Sequence, residues 1–249
     1  MAKLRAVVLA AGRGVRMGGG LPKTLVPVGD REPLLHYILT GVKLAGIDDL
    51  MVVTGHRAAD VQAYVAEHWG GEGVTYVFNA RYSSWGNFHS LRVALDQSPG
   101  FDVLAINSDI VVHPDVHKRV IGTTGDLVLA VERRRRLDQE DMRVQLKGSR
   151  VVGIGKGLKD IHSHGEFDGV SLVRPPAARL YTERCTELEW EGTTTLYYED
   201  IYAQILDRIE ARAAIVEPGE YAEVDVPEDM DAAGAVIDRH ADAWAHPVG

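Results

Sequence analysis

Short apolar runs alternate with segments of helical periodicity along the first half of the chain. Residues 4–10 form an apolar run that ends at a glycine-rich turn, which is typical of a parallel strand buried on both faces. The two patterns then recur in turn, and they predict a helix at 33–45, a strand at 50–55, a helix at 58–68, a strand at 73–78, a helix around 87–97 and a strand at 101–107. This alternation predicts a parallel sheet with helices on both faces, and such sheets bind ligands at the carboxyl ends of their strands.

The pattern changes near residue 126, where the apolar runs become shorter and partly alternating. We predict strands at 127–131, 142–146 and 150–154, a hairpin turn at 147–150, and helices at 174–189, 197–212 and 227–240. We therefore expect a mixed or antiparallel extension of the sheet to begin here. Because no internal repeat, low-complexity segment or linker interrupts the chain, we expect one domain over 1–249.

Composition narrows the class of protein. The chain has 249 residues, of which 45% are hydrophobic, so it is long enough to bury a large core. Its net charge of -9 argues against binding to nucleic acid or to an anionic membrane, because such partners are held mainly by surplus lysine and arginine. The single cysteine, Cys185, excludes an internal disulfide and is expected to be inert. With no apolar run near 18 residues and no signal-like N-terminus, we expect a cytoplasmic protein.

The turn after the first strand has the chemistry of a polyphosphate site. Residues 12–20 are rich in glycine, which lets backbone N–H groups approach phosphate oxygens without a Cβ atom in the way. Arg13, Arg16 and Lys23 add positive charge at the same place. The string matches neither the P-loop pattern nor the dinucleotide-binding pattern. Glycine content alone leaves a plain connecting loop as an equal alternative.

The order of residues in this turn resembles a known signature. Leu9-Ala10-Ala11-Gly12-x-Gly14-x-x-Met17, followed by Pro22-Lys23-x-Leu25-x-Pro27-Val28, is similar to the opening of the sugar-phosphate nucleotidyltransferase superfamily. Segments further along the chain resemble the bacterial choline-phosphate cytidylyltransferase branch, which includes relatives acting on inositol phosphate and on small phosphonates. These segments are 79–82, 85–91, 107–109, 140–144, 153–156, 165–170, 198–201 and 223–229. The resemblance implies a Rossmann-like three-layer αβα fold (GT-A-like), with a mostly parallel mixed sheet and a small antiparallel extension.

The resemblance also assigns roles in the nucleotide site. It implies that Arg13 faces the β and γ phosphates, and that Lys23 faces the α-phosphate or the acceptor phosphate. The Gly18-Gly19-Gly20 insertion departs from the family pattern and predicts a loop that is mobile until nucleotide binds. The residues expected to contact the nucleotide are Leu9, Ala10, Ala11, Gly12, Gly14, Asn87, Ser90 and Ser108. Ser90 is expected to form hydrogen bonds and not to act as a nucleophile, since no histidine and acid are spaced to activate it.

Two aspartates are candidates for a magnesium site. Asp109 stands where the family has its first metal aspartate, and it follows an apolar strand beside the glycine-rich turn. Asp225 lies on a predicted strand and is the natural second ligand, because Mg²⁺ takes one or two carboxylates together with substrate phosphates. The alternatives are a helix cap for Asp109 and a surface acid for Asp225. Capping is as good an explanation as catalysis for Glu199 and Asp200.

The acceptor site is less defined by the sequence. Arg133 to Arg136 form a basic run that is either a solvated face or a grip on an anionic acceptor. The remaining candidate acceptor contacts are Lys156, Glu166, Tyr198 and Asp200. A phosphocholine acceptor would instead call for aromatic neighbours of its cation, which Tyr82, Trp85, Tyr197 and Tyr198 could supply.

Together these features predict a Mg²⁺-dependent nucleotidyltransferase. By the resemblance, it would join CMP from CTP to a small phosphate or phosphonate, with residues 1–125 binding the nucleotide and residues 126–249 the acceptor. The alternatives are a UTP- or GTP-dependent sugar-1-phosphate nucleotidyltransferase, or a catalytically silent nucleotide-sensing domain. We expect no nucleic-acid or membrane partner, and a homodimer would agree with the resemblance.

Overall fold

The computed structural model describes residues 3–14, 20–70, 73–134 and 136–245. The strands in this part of the chain are β1 (Lys3–Ala10), β2 (Leu50–Thr54), β3 (Val74–Phe78), β4 (Phe101–Asn107), β5 (Ile110–Val112), β6 (Leu127–Glu132), β7 (Arg143–Lys147), β8 (Arg150–Ile154), β9 (Gly165–Val173), β10 (Ala211–Val216) and β11 (Tyr221–Glu223). The helices are α1 (Leu34–Leu44), α2 (Ala58–Trp69), α3 (Phe88–Asp96), α4 (Pro114–Gly122), α5 (Pro175–Trp190), α6 (Tyr198–Ile205), α7 (Met230–Arg239) and α8 (Ala241–Trp244). Short 3-10 helices lie at Lys23–Leu25, Asp160–His162 and Pro227–Asp229.

Nine strands form one sheet in the order β3-β2-β1-β4-β9-β6-β10-β8-β7. The first four run parallel to one another. Strand β9 is antiparallel to both of its neighbours, β4 and β6, and β6 is parallel to β10. Seven of the nine strands therefore point the same way, whereas β9 and β8 run in the opposite direction, which confirms the predicted mostly parallel mixed sheet.

The structure confirms the mixed alternative for the extension predicted to begin near residue 126, because β6 starts at Leu127, pairs antiparallel with β9 and pairs parallel with β10. Strand β6 belongs to the main sheet, and all six of its residues are buried. The hairpin β7–β8 is the antiparallel end of this extension, and its turn lies where the sequence predicted it, between Lys147 and Arg150. The shorter runs after β6 therefore mark a change of strand direction, whereas β6 itself continues the parallel core.

The predicted helix at 197–212 was wrong in its second half. Helix α6 ends at Ile205, and residues from Ala211 onward form β10. Asp126 and Glu210 fix the break, because the Asp126 N–H donates to the Glu210 carbonyl at 2.7 Å and the Glu210 N–H donates to the Asp126 carboxylate at 2.9 Å. These bonds start β6 and β10 side by side, and sheet pairing therefore overrides the helical spacing of the preceding apolar residues.

Helices cover both faces of the sheet. Along β1, Val7 packs in the hydrophobic core that contains Phe88 of α3 and Tyr181 of α5, whereas Val8 packs in the core that contains Leu35 of α1. This alternation within one strand confirms the three-layer arrangement. Cys185 is buried, and burial raises the pKa of its thiol to about 12, as expected for an inert cysteine. None of the helices in the described part of the chain is long and apolar enough to cross a membrane.

Candidate active site

A two-stranded ribbon brings the two predicted metal aspartates together. Strands β5 and β11 pair antiparallel, with Ile110 opposite Glu223. Asp109 directly precedes one strand of this pair and Asp225 follows the other, so both stand at the same end of the ribbon. The Val224 N–H donates to the Asp109 carbonyl at 2.8 Å and closes that end. Residues separated by more than 100 positions are thus held side by side by backbone hydrogen bonds.

Lys23 lies between the two carboxylates. Its Nζ atom is 3.1 Å from Oδ2 of Asp109 and 2.7 Å from Oδ1 of Asp225. Burial acts to lower the pKa of Lys23, but the two carboxylates outweigh it and hold that pKa above its ordinary value. The ammonium is therefore a fixed positive charge at the centre of the site.

Glu223 completes a cluster of three acids. One ligand atom from each of Asp109, Glu223 and Asp225 lies within 4.8 Å of the other two. The second oxygen of Asp109, Oδ1, is buried and accepts no hydrogen bond within the part of the chain that the structure describes. Asp229 fixes the backbone here, because its Oδ2 accepts from the N–H groups of Asp225 and Val226 at 2.7 and 2.8 Å.

The glycine-rich turn lies directly against Lys23. Gly14 has a positive φ of 55°, and a Cβ atom on it would come within 2.6 Å of the Lys23 Cβ. A side chain at position 14 would therefore displace the lysine, which explains the glycine. Gly12 differs, because a Cβ atom there would meet nothing within 4 Å. Arg16, Met17, Gly18 and Gly19 of the predicted loop lie outside the described residues.

These residues enclose a cavity of about 350 Å³ at the carboxyl ends of β1 and β4. Its lining residues are Leu9, Ala10, Gly12, Gly14, Pro22, Lys23, Thr24, Asn87, Ser90, Asn107, Ser108, Asp109 and Asp225. Seven of the eight predicted nucleotide contacts are on this wall. The eighth, Ala11, is buried, and its carbonyl accepts from the His56 N–H at 3.1 Å. Arg13 is exposed and is not among the lining residues.

Asn107 lines the cavity and was not among the predicted contacts. Its Oδ1 accepts from the Tyr198 hydroxyl at 2.8 Å, and the Tyr198 N–H donates to Oδ1 of Asn87 at 2.9 Å. Gly169, at a φ of 73°, leaves the space that the Asn107 side chain fills. The position of Asn107 at the end of β4 was a signal for it, since the carboxyl ends of parallel strands form the ligand-binding edge. Ser90 accepts from the Asn79 side-chain amide at 2.9 Å, in agreement with a hydrogen-bonding role.

A second cavity of about 190 Å³ opens beside the first and shares Asn87, Asn107, Asp109 and Asp225 with it. Its other lining residues are Glu140, Asp141, Met142, Lys156, Phe167, Gly169, Tyr197, Glu199, Tyr221 and Glu223. Lys156 donates to Oε2 of Glu140 at 2.9 Å, and its Nζ lies 5.5 Å from the centre of the Tyr197 ring. The shared acids and Lys23 thus stand at the junction of two spaces.

The structure places only Lys156 of the five candidate acceptor residues on this wall. Arg133 is exposed, and Arg134 next to it pairs with Glu166 and Glu132. Arg135 lies outside the described residues. Tyr198 is buried behind the wall, where its hydroxyl holds Asn107. One arginine of the basic run, which is itself 35% exposed, is therefore paired with two buried carboxylates, an arrangement that neither sequence-based alternative included.

Asp200 caps a helix, which is the alternative to catalysis that the sequence left open for it. Its Oδ2 accepts from the Tyr197 N–H at 2.8 Å, so it caps the first turn of α6. Its neighbour Glu199 lines the second cavity instead, with only 4% of its surface exposed. Burial raises the pKa of Glu199 to about 8, although its own backbone amide and the Tyr198 hydroxyl oppose this, and Asp200 and Asp109 add to it.

Comparison with known proteins shows the family and the fold. Residues 6–214 match the MobA-like NTP transferase domain. A CMP-5'-(3-aminopropyl)phosphonate synthase of Streptomyces rubellomurinus is 34% identical over 136 residues, which are 52% of this chain and only 21% of the synthase. A D-glycero-alpha-D-manno-heptose 1-phosphate guanylyltransferase of Aneurinibacillus thermoaerophilus is 27% identical over 67% of this chain and 72% of that enzyme.

Among solved structures, the inositol-1-phosphate CTP transferase from T. maritima superposes with a TM-score of 0.76. The superposition covers 96% of this chain and 98% of that one, at 20% sequence identity. It confirms the Rossmann-like three-layer fold over nearly the whole chain. At this identity the likeness concerns the fold and not the substrates.

Proposed function

Because the chain belongs to the family of MobA-like NTP transferase domains, we propose that it joins CMP from CTP to a small phosphate or phosphonate and releases pyrophosphate. The observation that carries the proposal is the position of Lys23 between Asp109 and Asp225, where two cavities meet. The larger cavity, beside the glycine-rich turn, takes the triphosphate. The smaller one takes the acceptor.

The acidic cluster fits a magnesium ion. Asp109, Glu223 and Asp225 offer oxygen ligands close together, and Oδ1 of Asp109 is buried without a hydrogen bond among the described residues. Hard oxygen donors of this kind suit Mg²⁺, which also keeps waters and takes phosphate oxygens. Asp109 and Asp225 would hold the ion, with Glu223 as a third acid, and the ion would supply charge neutralisation at the triphosphate.

In the reaction an oxygen of the acceptor phosphate or phosphonate forms a bond to the α-phosphorus of CTP. The bond from that phosphorus to the bridging oxygen of the β-phosphate breaks, and pyrophosphate leaves with the electron pair. A phosphate monoester has a second pKa of about 6 and is already largely anionic at neutral pH, so the acceptor needs no general base. Lys23 then stabilises the charge on the transferring group, and the backbone N–H groups of the glycine-rich turn hold the β and γ phosphates.

CTP is proposed on the resemblance to cytidylyltransferases and on the CMP-phosphonate synthase relative. The heptose-phosphate guanylyltransferase relative is the reason for testing GTP, and the resemblance to sugar-phosphate enzymes is the reason for testing UTP. A silent nucleotide-sensing domain would not need the three acids, and their presence around Lys23 favours an active enzyme.

The test incubates the purified protein with Mg²⁺, pyrophosphatase, one triphosphate at a time and a panel of phosphate and phosphonate acceptors. Release of phosphate with CTP, and a CMP-linked product by mass spectrometry, support the proposal. Asp109→Asn is expected to lose at least about 10²-fold in kcat, on the scale of removing one transition-state contact. Asp115→Asn is the matched control, because Asp115 is an exposed acid of α4 that pairs with Lys118. Equal turnover by both variants, or transfer from GTP or UTP alone, would refute the proposal.

A further inference from the structure

Strand β3 is an edge of the nine-stranded sheet, and it carries no charge. Within the described residues it pairs only with β2, and its sequence is Val-Thr-Tyr-Val-Phe. Soluble proteins usually place a charge or a proline on such an edge, because an unprotected edge pairs with other chains. Strand β7, at the opposite end of the sheet, has a basic residue at each of its ends. The edge at β3 therefore lacks the usual protection.

The hydrogen bonds to β2 determine which backbone groups of β3 are left over. The Leu50 N–H donates to the Gly73 carbonyl at 3.2 Å, and the Asn79 N–H donates to the Thr54 carbonyl at 2.8 Å. The odd-numbered residues of β3 therefore point their N–H and C=O groups toward β2, and the even-numbered residues point theirs away from the sheet. The outward-pointing residues are Val74, Tyr76 and Phe78.

The spacing of these three residues lets β3 pair with a second copy of itself. In an antiparallel pair centred on Tyr76, this residue faces Tyr76 of the second copy, and Val74 faces Phe78 of the second copy. Each facing pair of outward residues exchanges two hydrogen bonds, so the three pairs form about six. Every outward backbone group of the strand then has a partner.

The side chains on this edge fit the same pairing. Phe78 is 57% exposed, and Val74, two pairs along the strand, is half-buried. In the antiparallel register the ring of Phe78 lies across from Val74 of the second copy, and a pair of an aromatic and a β-branched residue stabilises antiparallel strands. The pairing that satisfies the backbone thus also covers the exposed ring.

The flank of α2 beside this edge is uncharged and made of small residues. Helix α2 lies over β3, because the Tyr76 hydroxyl donates to the Gln62 carbonyl at 3.3 Å. Ala59 and Ala66 neighbour Gln62 at helical spacing, Ala63 lies between them, and all three alanines are exposed. A chain of net charge -9 repels its own copy, so two copies can meet closely only on a surface that is free of like charges.

The charges at the two ends of the edge are of opposite sign. Arg81 follows β3 and is exposed. Asp48 is also exposed, and its carbonyl lies against Gly73, just before β3 begins. Antiparallel pairing places the end of β3 in one copy beside the start of β3 in the other. Arg81 of each copy then approaches Asp48 of the second copy, once at each end of the interface.

We propose that the protein forms a symmetric homodimer in which β3 pairs antiparallel with β3 of a second copy, so that the two sheets become one continuous sheet. A second copy fits this edge because every residue of the strand faces a residue of the same strand, as twofold symmetry requires. The contact involves one short strand and one helix flank from each copy. It therefore belongs with the small interfaces, and a Kd on the order of 10 µM is expected.

Sedimentation equilibrium of the full-length protein, at concentrations above and below this Kd, measures the association. Phe78→Glu is expected to weaken the dimer at least tenfold, because it places a carboxylate against an apolar side chain of the second copy. Ile161→Glu is the matched control, since Ile161 is 82% exposed and lies away from the edge. A wild-type protein that stays monomeric would overturn the proposal, and so would a dimer that the two variants weaken equally.

The register is tested by a pair of charges. Val74→Lys alone is expected to weaken the dimer at least tenfold. The double variant Val74→Lys/Phe78→Glu is expected to regain the wild-type affinity to within about fivefold, because the register centred on Tyr76 places the new charges opposite one another at both ends. A double variant that dimerises no better than the single variants would refute this register.

Hydrogen exchange on the wild-type protein needs no variant to fold. Above the Kd, the N–H groups of Val74, Tyr76 and Phe78 are expected to exchange at least tenfold more slowly than below it. Those of Thr75 and Val77 are expected to change little, because they already pair with β2. Exchange of the three outward groups that is independent of protein concentration would overturn the proposal, whatever the variants do.

Discussion

The substitution Lys23→Met is expected to make the stability of the protein depend on divalent cations. In the wild-type structure the Lys23 ammonium contacts Asp109 and Asp225, and it is only 13% exposed. Methionine keeps most of the length of the side chain, being one atom shorter, but removes its charge. The carboxylates then face one another without compensation, and a cation from solution becomes their remaining source of positive charge.

The size of this effect follows from the geometry. The acidic atoms of Asp109, Glu223 and Asp225 lie within 4.8 Å of one another. At that distance two unit charges repel by about 3.5 kcal/mol at an effective dielectric constant of about 20. Asp109 and Asp225 are 28% and 33% exposed, so water screens this repulsion. A discounted value of about 1 kcal/mol per pair gives a loss of about 2–3 kcal/mol, which lowers Tm by roughly 5–10 °C in a domain of this size.

Thermal unfolding without divalent cation and across a Mg²⁺ titration measures both parts of the expectation. The variant is expected to unfold at the lower Tm in chelator and to recover it as Mg²⁺ is added, since an ion present at about 100 times its Kd stabilises a protein by about 2.7 kcal/mol. The wild-type protein is expected to respond less, because its lysine already neutralises the cluster.

Lys118→Met serves as the control for loss of a lysine, since Lys118 is 54% exposed and pairs with Asp115 on the surface. This control is expected to change Tm by less than about 2 °C, with or without Mg²⁺. A Lys23→Met protein with the wild-type Tm in chelator would refute the electrostatic reasoning. A variant that is destabilised but not rescued by Mg²⁺ would refute the metal site.

Three further substitutions test the surroundings of Lys23. Gly14→Ala is expected to lose at least tenfold in kcat/KM in steady-state kinetics, because the new methyl group meets the lysine at 2.6 Å from a backbone with positive φ; wild-type turnover would contradict this. Gly12→Ala, which meets no atom within 4 Å, is expected to keep its Tm in a melting curve and to raise KM for CTP at least tenfold; an unchanged KM would argue that the triphosphate lies elsewhere. Asp229→Ala frees two backbone N–H groups and is expected to weaken Mg²⁺ binding at Asp225 about tenfold in a titration, which unchanged affinity would exclude.

The parallel half of the fold was predictable because each of its strands and helices has a clear hydrophobic pattern in the local sequence. The first four strands are short apolar runs, and the helices between them have clear periodicity. Strand β10 was missed because the apolar residues before it, Leu206 and Ile209, continue the helical spacing of α6 and are also buried. What separates helix from strand here is the bonding between Asp126 and Glu210, 84 positions apart, and local pattern does not contain it.

The candidate site likewise has one part that the local sequence pattern predicts and one part that it does not. The lining of the first cavity, where we propose that the nucleotide binds, was largely predictable, because a glycine-rich turn and strand ends form it. The acceptor side depends on which residue of a helix turn points inward. The sequence offered Glu199 and Asp200 as neighbours, and only the start of α6 at Tyr198 decides that Asp200 caps the helix while Glu199 lines the cavity. A shift of one residue in the helix start would exchange them, and element boundaries are the least reliable part of a sequence-based prediction.

The two cavities are built in different ways, and this bears on how acceptor specificity arises. The first is lined mainly by turns at the ends of β1 and β4, whose backbone is fixed by parallel pairing on both sides of β1. The second is lined largely by side chains of the second half of the chain, with Glu140 and Lys156 in loops and Glu199 in the first turn of α6. Side chains there can change without disturbing the pairing of β5 with β11 that holds Asp109 and Asp225. The charge of the second cavity is therefore free to follow the acceptor while the geometry of nucleotidyl transfer stays fixed.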